Sequence, residues 1–327
     1  MDKTRVTVLI PTYNRKENLA DTLRALSKQG NKNFNVLISD NCSSYSIEDD
    51  VLPGLPIEFT DRVRVHHQRF NIGAAANIIG LLSLCDTEYG WILGDDDNVQ
   101  PKAIDSIYAT ISKYSNANCF WFLLGEKNNG DKLIDSMEKL NDFLCELNNR
   151  GDFIFCSNKV YKIPAISAYM DMTYRYIYTR IPQCFPLMES LKHNEEIGII
   201  CGKHLVEHGG FTDGITWDVS KTVLGLKTLI DYPTGLEWEE HCRFIREIMF
   251  SPKDILNWYI DSADLPWNYK SYLKSVYYGC YQYYYPIYKR IGIKIAYWIA
   301  SCPVGWRLFK TLKKCKRNVK SYMQGSK

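Results

Sequence analysis

Short apolar runs alternating with helical patterns organise the first third of the chain. Val6–Ile10 is an unbroken, largely β-branched run, the pattern of a strand buried on both faces of a parallel sheet. Pro11 is expected to stop it. Leu19, Leu23 and Leu26 then recur at helical spacing, with Gly30 as the stop signal. Val36–Ser39 predicts a second strand and Val63–His67 a third. Ala74–Cys85 predicts a helix with Ile78, Leu81, Leu82 and Cys85 on one face. Trp91–Leu93 reads as a short strand running into Gly94, Asp95, Asp96 and Asp97. Pro101 suits the first position of a helix carrying Ile104, Ile107, Tyr108 and Ile111. Asn118–Leu124 reads as another buried strand.

This alternation predicts an α/β fold, a doubly wound and mostly parallel sheet flanked by helices, with right-handed crossovers. In such sheets the loops after the strand C-termini build the ligand site. Beyond it, residues 126–149 read as polar and irregular. Ile177–Asn194 reads as mostly helical, Ile197–Cys201 as a buried strand, and His241–Phe250 and Ser271–Tyr285 as helices.

Composition narrows the class. The 327 residues are 46% hydrophobic and 24% charged, a globular balance. The net charge of +3 hides an asymmetry: no acidic residue follows Asp264, while 13 of the 40 Lys and Arg do. An acidic body with a basic tail points to an anionic surface as partner. The 11 cysteines include no Cys-x-x-Cys pair, which argues against a zinc ribbon and fits a reducing cytoplasm. Val6–Ile10 is too short for the apolar region of a signal peptide. The stretch from Ile291 to Trp306, broken by Lys294 and Pro303, is shorter than the ~20 residues of a spanning helix.

The chemistry concentrates at strand ends. Three consecutive carboxylates, Asp95, Asp96 and Asp97, repel one another, and a cation relieves that repulsion. Mg²⁺ and Mn²⁺ prefer one or two protein carboxylates with phosphate oxygens and water, so the triplet reads as a metal–diphosphate site. A solvated acidic turn ahead of the helix fits the same residues. Three more segments fall at strand ends or before the next helix: Pro11 to Arg15, Ser39 to Ser43, and Asn71 to Asn77. Asp40 has the chemistry to accept the N3–H of a uracil-like base. Gly73 and its small neighbours allow close approach of backbone to ligand. Each segment alone also suits a turn or cap.

Together, IPTYNR at Ile10–Arg15, ISDNCS at Ile38–Ser43, NIGAAAN at Asn71–Asn77 and WILGDDDN at Trp91–Asn98 resemble family 2 glycosyltransferases of the GT-A fold, in the flavour that builds bacterial O-antigen or capsule. The resemblance covers roughly residues 4–125. It implies inverting sugar transfer from a nucleotide-sugar, usually a UDP-sugar, with Mn²⁺ or Mg²⁺. It implies that Pro11, Thr12, Tyr13 and Arg15 line the nucleotide pocket, that Asp40 and Asn41 meet the base, and that Asn71, Gly73 and Asn77 flank the nucleoside. Asp95, Asp96 and Asp97 would hold metal and diphosphate, with Asp95 and Asp97 as metal ligands and Asp97 the direct one. The family's general base falls about 90–100 residues further on. That window holds Glu189, Glu195 and Glu196, with Asp213 and Asp218 beyond. Glu189 is the chosen candidate, although the usual Glu-Asp pair is missing. The implied domains are 1–125 for the nucleotide-sugar, 126–215 for the acceptor, and 216–327 as a helical region whose tail, from about 265, meets the membrane. The acceptor would be a polyprenyl-diphosphate-linked saccharide at the inner face of the bacterial plasma membrane.

His204 to His208 matches the H-x-x-E-H zinc pattern, but the neighbouring Gly209-Gly210 leaves little helix. Gly198 to His204 misses the P-loop spacing. No GxGxxG follows the first strand, so a dehydrogenase is not expected. A nucleotidyltransferase would need a Gly-rich basic loop in place of IPTYNR. A non-catalytic scaffold is opposed by the intact Asp triplet. In the tail, Leu308, Leu312, Cys315 and Val319 share a helical face amid Lys and Arg, and Tyr297, Trp298 and Trp306 are interfacial aromatics. This fits an in-plane membrane anchor; nucleic-acid binding and packing on the body are the competing readings, of which nucleic acid is not expected.

Overall fold

The computed structural model describes residues 4–124, 130–147, 151–207, 228–248, 256–257, 260, 271, 274–275, 278, 281–302, 304–305, 307–308 and 311–312. The chain divides into two compact units. One comprises Met1–Thr216 with Pro233–Leu236, the other Trp217–Tyr232 with Glu237–Lys327.

In the first unit the strands are β1 (Val6–Thr12), β2 (Asn35–Asp40), β3 (Val63–His67), β4 (Tyr89–Ile92), β5 (Asn98–Val99), β6 (Cys119–Phe122), β7 (Lys132–Ile134), β8 (Lys159–Lys162), β9 (Ile197–Ile200) and β10 (Val206–Glu207). Its longer helices are α1 (Lys16–Ser27), α2 (Ala74–Leu84), α3 (Ala103–Lys113), α4 (Met137–Glu146) and α5 (Phe185–Lys192). Eight strands form one sheet in the order β3-β2-β1-β4-β8-β6-β9-β7. The pairs β1–β2, β2–β3, β1–β4 and β6–β9 are parallel; β8 and β7 run antiparallel to their neighbours. Strands β5 and β10 form a separate antiparallel pair.

The apolar runs become the core as their pattern requires. Val6, Val8, Leu9 and Ile10 of β1 are fully buried, as are Leu19, Leu23 and Leu26 of α1. Chain order reverses between β1 and β4, the switch point at whose strand C-termini a doubly wound sheet places its ligand.

Four local expectations need correcting. Pro11 does not stop β1, which pairs with β2 as far as Thr12 opposite Asp40. Leu9 accepts from Leu93 on the β4 side, so by alternation the nitrogen of Pro11 faces a position that β4 has already left. No ladder bond is lost. Pro101 lies in a turn, two residues before α3. Within the polar stretch 126–149, the described residues 130–147 are not irregular: they hold β7 and α4. Ser136 caps α4 by accepting from Lys139 N, and Leu140 and Leu144 bury one face. Finally, α1 ends at Ser27 with Lys28 as its cap, before Gly30; Ile177–Asn194 is mostly helical as expected, two 3₁₀ turns followed by α5.

In the second unit, α6 (Trp238–Ile248) buries Cys242, Phe244, Ile245 and Ile248. Helix α7 (Ile287–Ser301) starts after Pro286. Tyr297, expected as an interfacial aromatic, is fully buried, whereas Trp298 is exposed. Trp306, Cys315 and Val319 lie outside the described residues, as do Asp213 and Asp218.

Candidate active site

The C-terminal ends of β1, β2 and β4 lie side by side, and their loops carry the motif residues. Leu93 N donates to Leu9 O at 2.9 Å, which carries the acidic turn alongside the end of β1. Asp95 turns inward there and is 5% exposed. Its Oδ2 accepts from Thr12 Oγ1 at 2.8 Å and its Oδ1 from Arg15 Nη1 at 3.1 Å. Its carbonyl accepts from Thr22 Oγ1 at 2.9 Å. Burial pushes the Asp95 carboxyl up to about 6, against the pull of the Thr12 hydroxyl and the Arg15 charge. Arg15 also donates to Asp96 Oδ2 at 2.7 Å, fastening the second carboxylate at the rim. Thr12, itself buried, holds Asp95 rather than lining open space; Tyr13 is exposed and does face outward.

Asp96 is exposed and Asp97 partly so. A Cβ placed on Gly94 would lie 2.6 Å from Asp97 Oδ2 and 3.3 Å from Asp96 Oδ1. Both oxygens thus lie close to the Gly94 backbone, where a larger side chain would have to displace the Asp97 carboxylate. Asp97 Oδ2 accepts from Ser157 Oγ at 2.5 Å, and Ser157 Oγ accepts from Gly94 N at 2.8 Å. Ser157 is fully buried just before β8, and its carbonyl accepts from Trp91 Nε1 at 2.9 Å. Nothing in the sequence around Ser157 signals this role.

Asp96 and Asp97, exposed and partly exposed, are the carboxylates of this turn that a hard divalent cation of the Mg²⁺ or Mn²⁺ type could reach, with phosphate and water completing its shell. Asp95, expected as a metal ligand beside Asp97, has both oxygens engaged by Thr12 and Arg15. No cluster of three or more His, Cys, Asp or Glu in metal-holding geometry occurs among the described residues.

At the end of β2, Asp40 is buried. Its Oδ1 accepts from Ser43 N at 3.0 Å, and its Oδ2 lies 3.3 Å from His67 Nδ1. His67 Nε2 lies 2.8 Å from Glu48 Oε1. An open hollow lies here, lined by Asp40, Ser43, Ser46, Glu48 and His67 among others. Both partners of His67 are acceptors, so the ring satisfies both bonds only as the imidazolium. The contact with Glu48 accordingly raises the His67 pKa above its ordinary value, with Asp40 adding to it against partial burial. The sequence offered His67 only as a strand end.

The asparagines brace the loops. Asn41 Nδ2 donates to Asn71 Oδ1 at 2.9 Å, and Asn41 Oδ1 accepts from Ile72 N at 2.9 Å. Asn71 Oδ1 also accepts from Gly73 N, whose φ of +86° suits glycine. Asn77 is 1% exposed, with its amide engaged by Ser39 at both ends. It fixes α2 to β2 instead of facing a ligand.

The base candidates stand elsewhere. Asn118 Nδ2 donates to Glu195 Oε2 at 2.5 Å, and Asn118 N to Glu196 O at 2.9 Å. Asn118 precedes β6, which runs parallel to β4, so this is the sheet end opposite the Asp triplet. Glu189 is buried in α5, accepts from Lys192 Nζ at 3.0 Å, and shares with Glu195 the surroundings of Tyr169. None of the three reaches the crevice. The zinc pattern also dissolves: Glu207 is in extended β10, and His204 Nδ1 donates to Leu123 O at 2.8 Å. His208 lies outside the described residues.

The family model for glycosyl transferase family 2 matches residues 7–175. Abequosyltransferase RfbV of Salmonella typhimurium is 26% identical over 204 residues, 56% of this chain and 60% of that protein. An uncharacterized glycosyltransferase of Haemophilus influenzae is 29% identical over 117 residues, 35% of this chain and 36% of its own length. The chain thus spans 60% or less of these curated relatives. Among solved structures, S. aureus TarS superposes with a TM-score of 0.50 at 15% identity, covering 83% of this chain and 52% of that one. That likeness concerns the fold, the mostly parallel, helix-flanked sheet of GT-A type.

Proposed function

This chain belongs to glycosyl transferase family 2, and from that premise we propose that it moves one sugar from a nucleotide-sugar, a UDP-sugar, to a polyprenyl-diphosphate-linked saccharide, with inversion and with a divalent cation. The observation that carries the reading is the adjacency of two recognition ends. Asp40 at the end of β2 and Asp96–Asp97 after β4 flank the end of β1, at the point where chain order reverses. A nucleotide diphosphate has the matching polarity, with a hydrogen-bonding base at one end and a polyanion at the other.

Each residue then has a task. Asp40, held in place by Ser43 and His67, accepts the N3–H of uracil. Exposed Tyr13 offers a ring face at the pocket mouth. Asp96 and Asp97 would hold Mn²⁺ or Mg²⁺, which when bound supplies charge neutralisation for the departing diphosphate. Arg15 and Ser157 set the two carboxylates. Inversion needs a base beside the acceptor hydroxyl, on the face opposite the leaving group. Glu189, Glu195 and Glu196 stand away from the crevice and do not meet that need.

The relative named abequosyltransferase supports sugar transfer of the O-antigen or capsule kind. No helix among the described residues is long and apolar enough to cross a membrane. The reading therefore places the chain at the cytoplasmic face of the bacterial membrane, reaching a lipid-linked acceptor from outside the bilayer. The test is donor turnover by Asp97→Ala: loss of turnover in a chain that still folds, with a melting temperature lowered by no more than a few degrees, supports the site, and turnover near the wild-type rate removes it.

A further inference from the structure

Helix α7 has two unlike faces. Tyr297 and Ala300 are buried. Ile287, Ile291, Ile295 and Trp298, spaced by four, four and three residues, are 72%, 53%, 53% and 77% exposed. Tyr288 stands beside them at 68%. Scattered exposed apolar residues are ordinary, but five large ones on one helical arc form a stripe that asks for a partner. Val304, Leu308 and Leu312 continue the exposure at four-residue steps.

Charge selects the partner. Lys289 and Lys294 are exposed on the same helix. At 100° per residue Lys294 borders the stripe beside Ile287 and Trp298. No acidic residue follows Asp264, and 13 basic ones do. An apolar protein groove would not need that one-sided charge, whereas an anionic lipid surface does. Length fixes the orientation: 15 residues make a helix of about 22 Å, too short for the ~30 Å hydrocarbon core. Trp298 and Tyr288 have the apolar body and polar tip suited to the headgroup boundary, and lysine stems reach back to it.

We infer that the Ile287–Ile291–Ile295–Trp298 face of α7 is the surface by which this chain lies in the plane of an anionic phospholipid bilayer. The inference rests on α7 and the charge of the tail and does not depend on the sugar-transfer reading.

The experiment is co-sedimentation of the full chain with vesicles of phosphatidylcholine, with and without phosphatidylglycerol. The expected result is binding at least about tenfold tighter to the anionic vesicles, weakened by salt. The double variant Ile291→Asp/Ile295→Asp is expected to lose that binding with an unchanged melting temperature, because both side chains are already exposed. Lys294→Glu is expected to weaken it, and Trp298→Phe to remove a vesicle-induced blue shift in emission. Wild-type sedimentation of the double variant would overturn the inference, as would equal binding to neutral vesicles. So would a stable dimer in ultracentrifugation that the double variant dissociates, which would assign the stripe to a second copy. Donor turnover is read separately, so either proposal can fail alone.

Discussion

Ser157 donates to Asp97 Oδ2 and accepts from Gly94 N with the same hydroxyl, joining the segment before β8 to both ends of the acidic turn. A fully buried serine thereby sets the direction of a partly exposed carboxylate 60 positions earlier in the chain.

Ser157→Ala removes the hydrogen bonds to Gly94 N and to Asp97 Oδ2. Loss of part-buried hydrogen bonds of this kind costs about 1 kcal/mol each, a fall of a few degrees in Tm. Because residues behind a metal ligand tune it, donor turnover should fall about 10–100-fold and require more Mn²⁺ for half-maximal effect. A lower Tm with an unchanged Mn²⁺ requirement would reduce Ser157 to a packing residue.

The Asp95 carboxyl, at about 6, holds its proton to a higher pH in the folded chain than in the unfolded one. Folding then binds a proton between about pH 4 and 6, so this group's contribution to stability falls as pH rises through that window. Asp95→Asn stays neutral throughout. Its melting temperature relative to wild type should rise from pH 4 to pH 6 and level off above. A difference that stays flat with pH would contradict the burial of a titrating Asp95.

His67 works in the same sense, in a higher pH window. Its pKa is raised by Glu48 first and Asp40 next, so the stability it lends is complete below the ordinary histidine value. That stability is lost as pH rises through the raised value. NMR titration of the ring should show a pKa above about 6.5 that drops in Glu48→Gln. A titration unmoved by that substitution would remove the bridge.

The fold and the site were legible to different depths. Runs such as Val6–Ile10 and Cys119–Phe122 announce themselves because continuous apolar sequence has few other uses. Strand β8 does not. Its first residue, Lys159, is fully buried with Nζ donating to Phe155 O and Asn158 Oδ1, and a lysine in a strand reads as surface. Helix α4 carried its signals, with Ser136 as cap and Leu140 and Leu144 four apart, but the polar residues around them hid the pattern. At the site, the motif segments locate the crevice because each follows a strand or precedes a helix. The division of labour among Asp95, Asp96 and Asp97 was illegible, since it depends on Thr12, Arg15 and Ser157 across the fold. Glu189 was chosen by distance along the chain, and α5 carries it to the other end of the sheet.

The central claim is that Asp96 and Asp97 serve a nucleotide diphosphate with its cation. The direct measurement is thermal stability with UDP, GDP, dTDP and CMP, each with and without Mn²⁺, in wild type and Asp97→Ala. A ligand at 100 times its Kd adds about 2.7 kcal/mol, a shift of a few degrees. The account predicts a shift with UDP that needs Mn²⁺ and is absent from Asp97→Ala. No shift with any nucleotide, or an equal shift in Asp97→Ala, would contradict it.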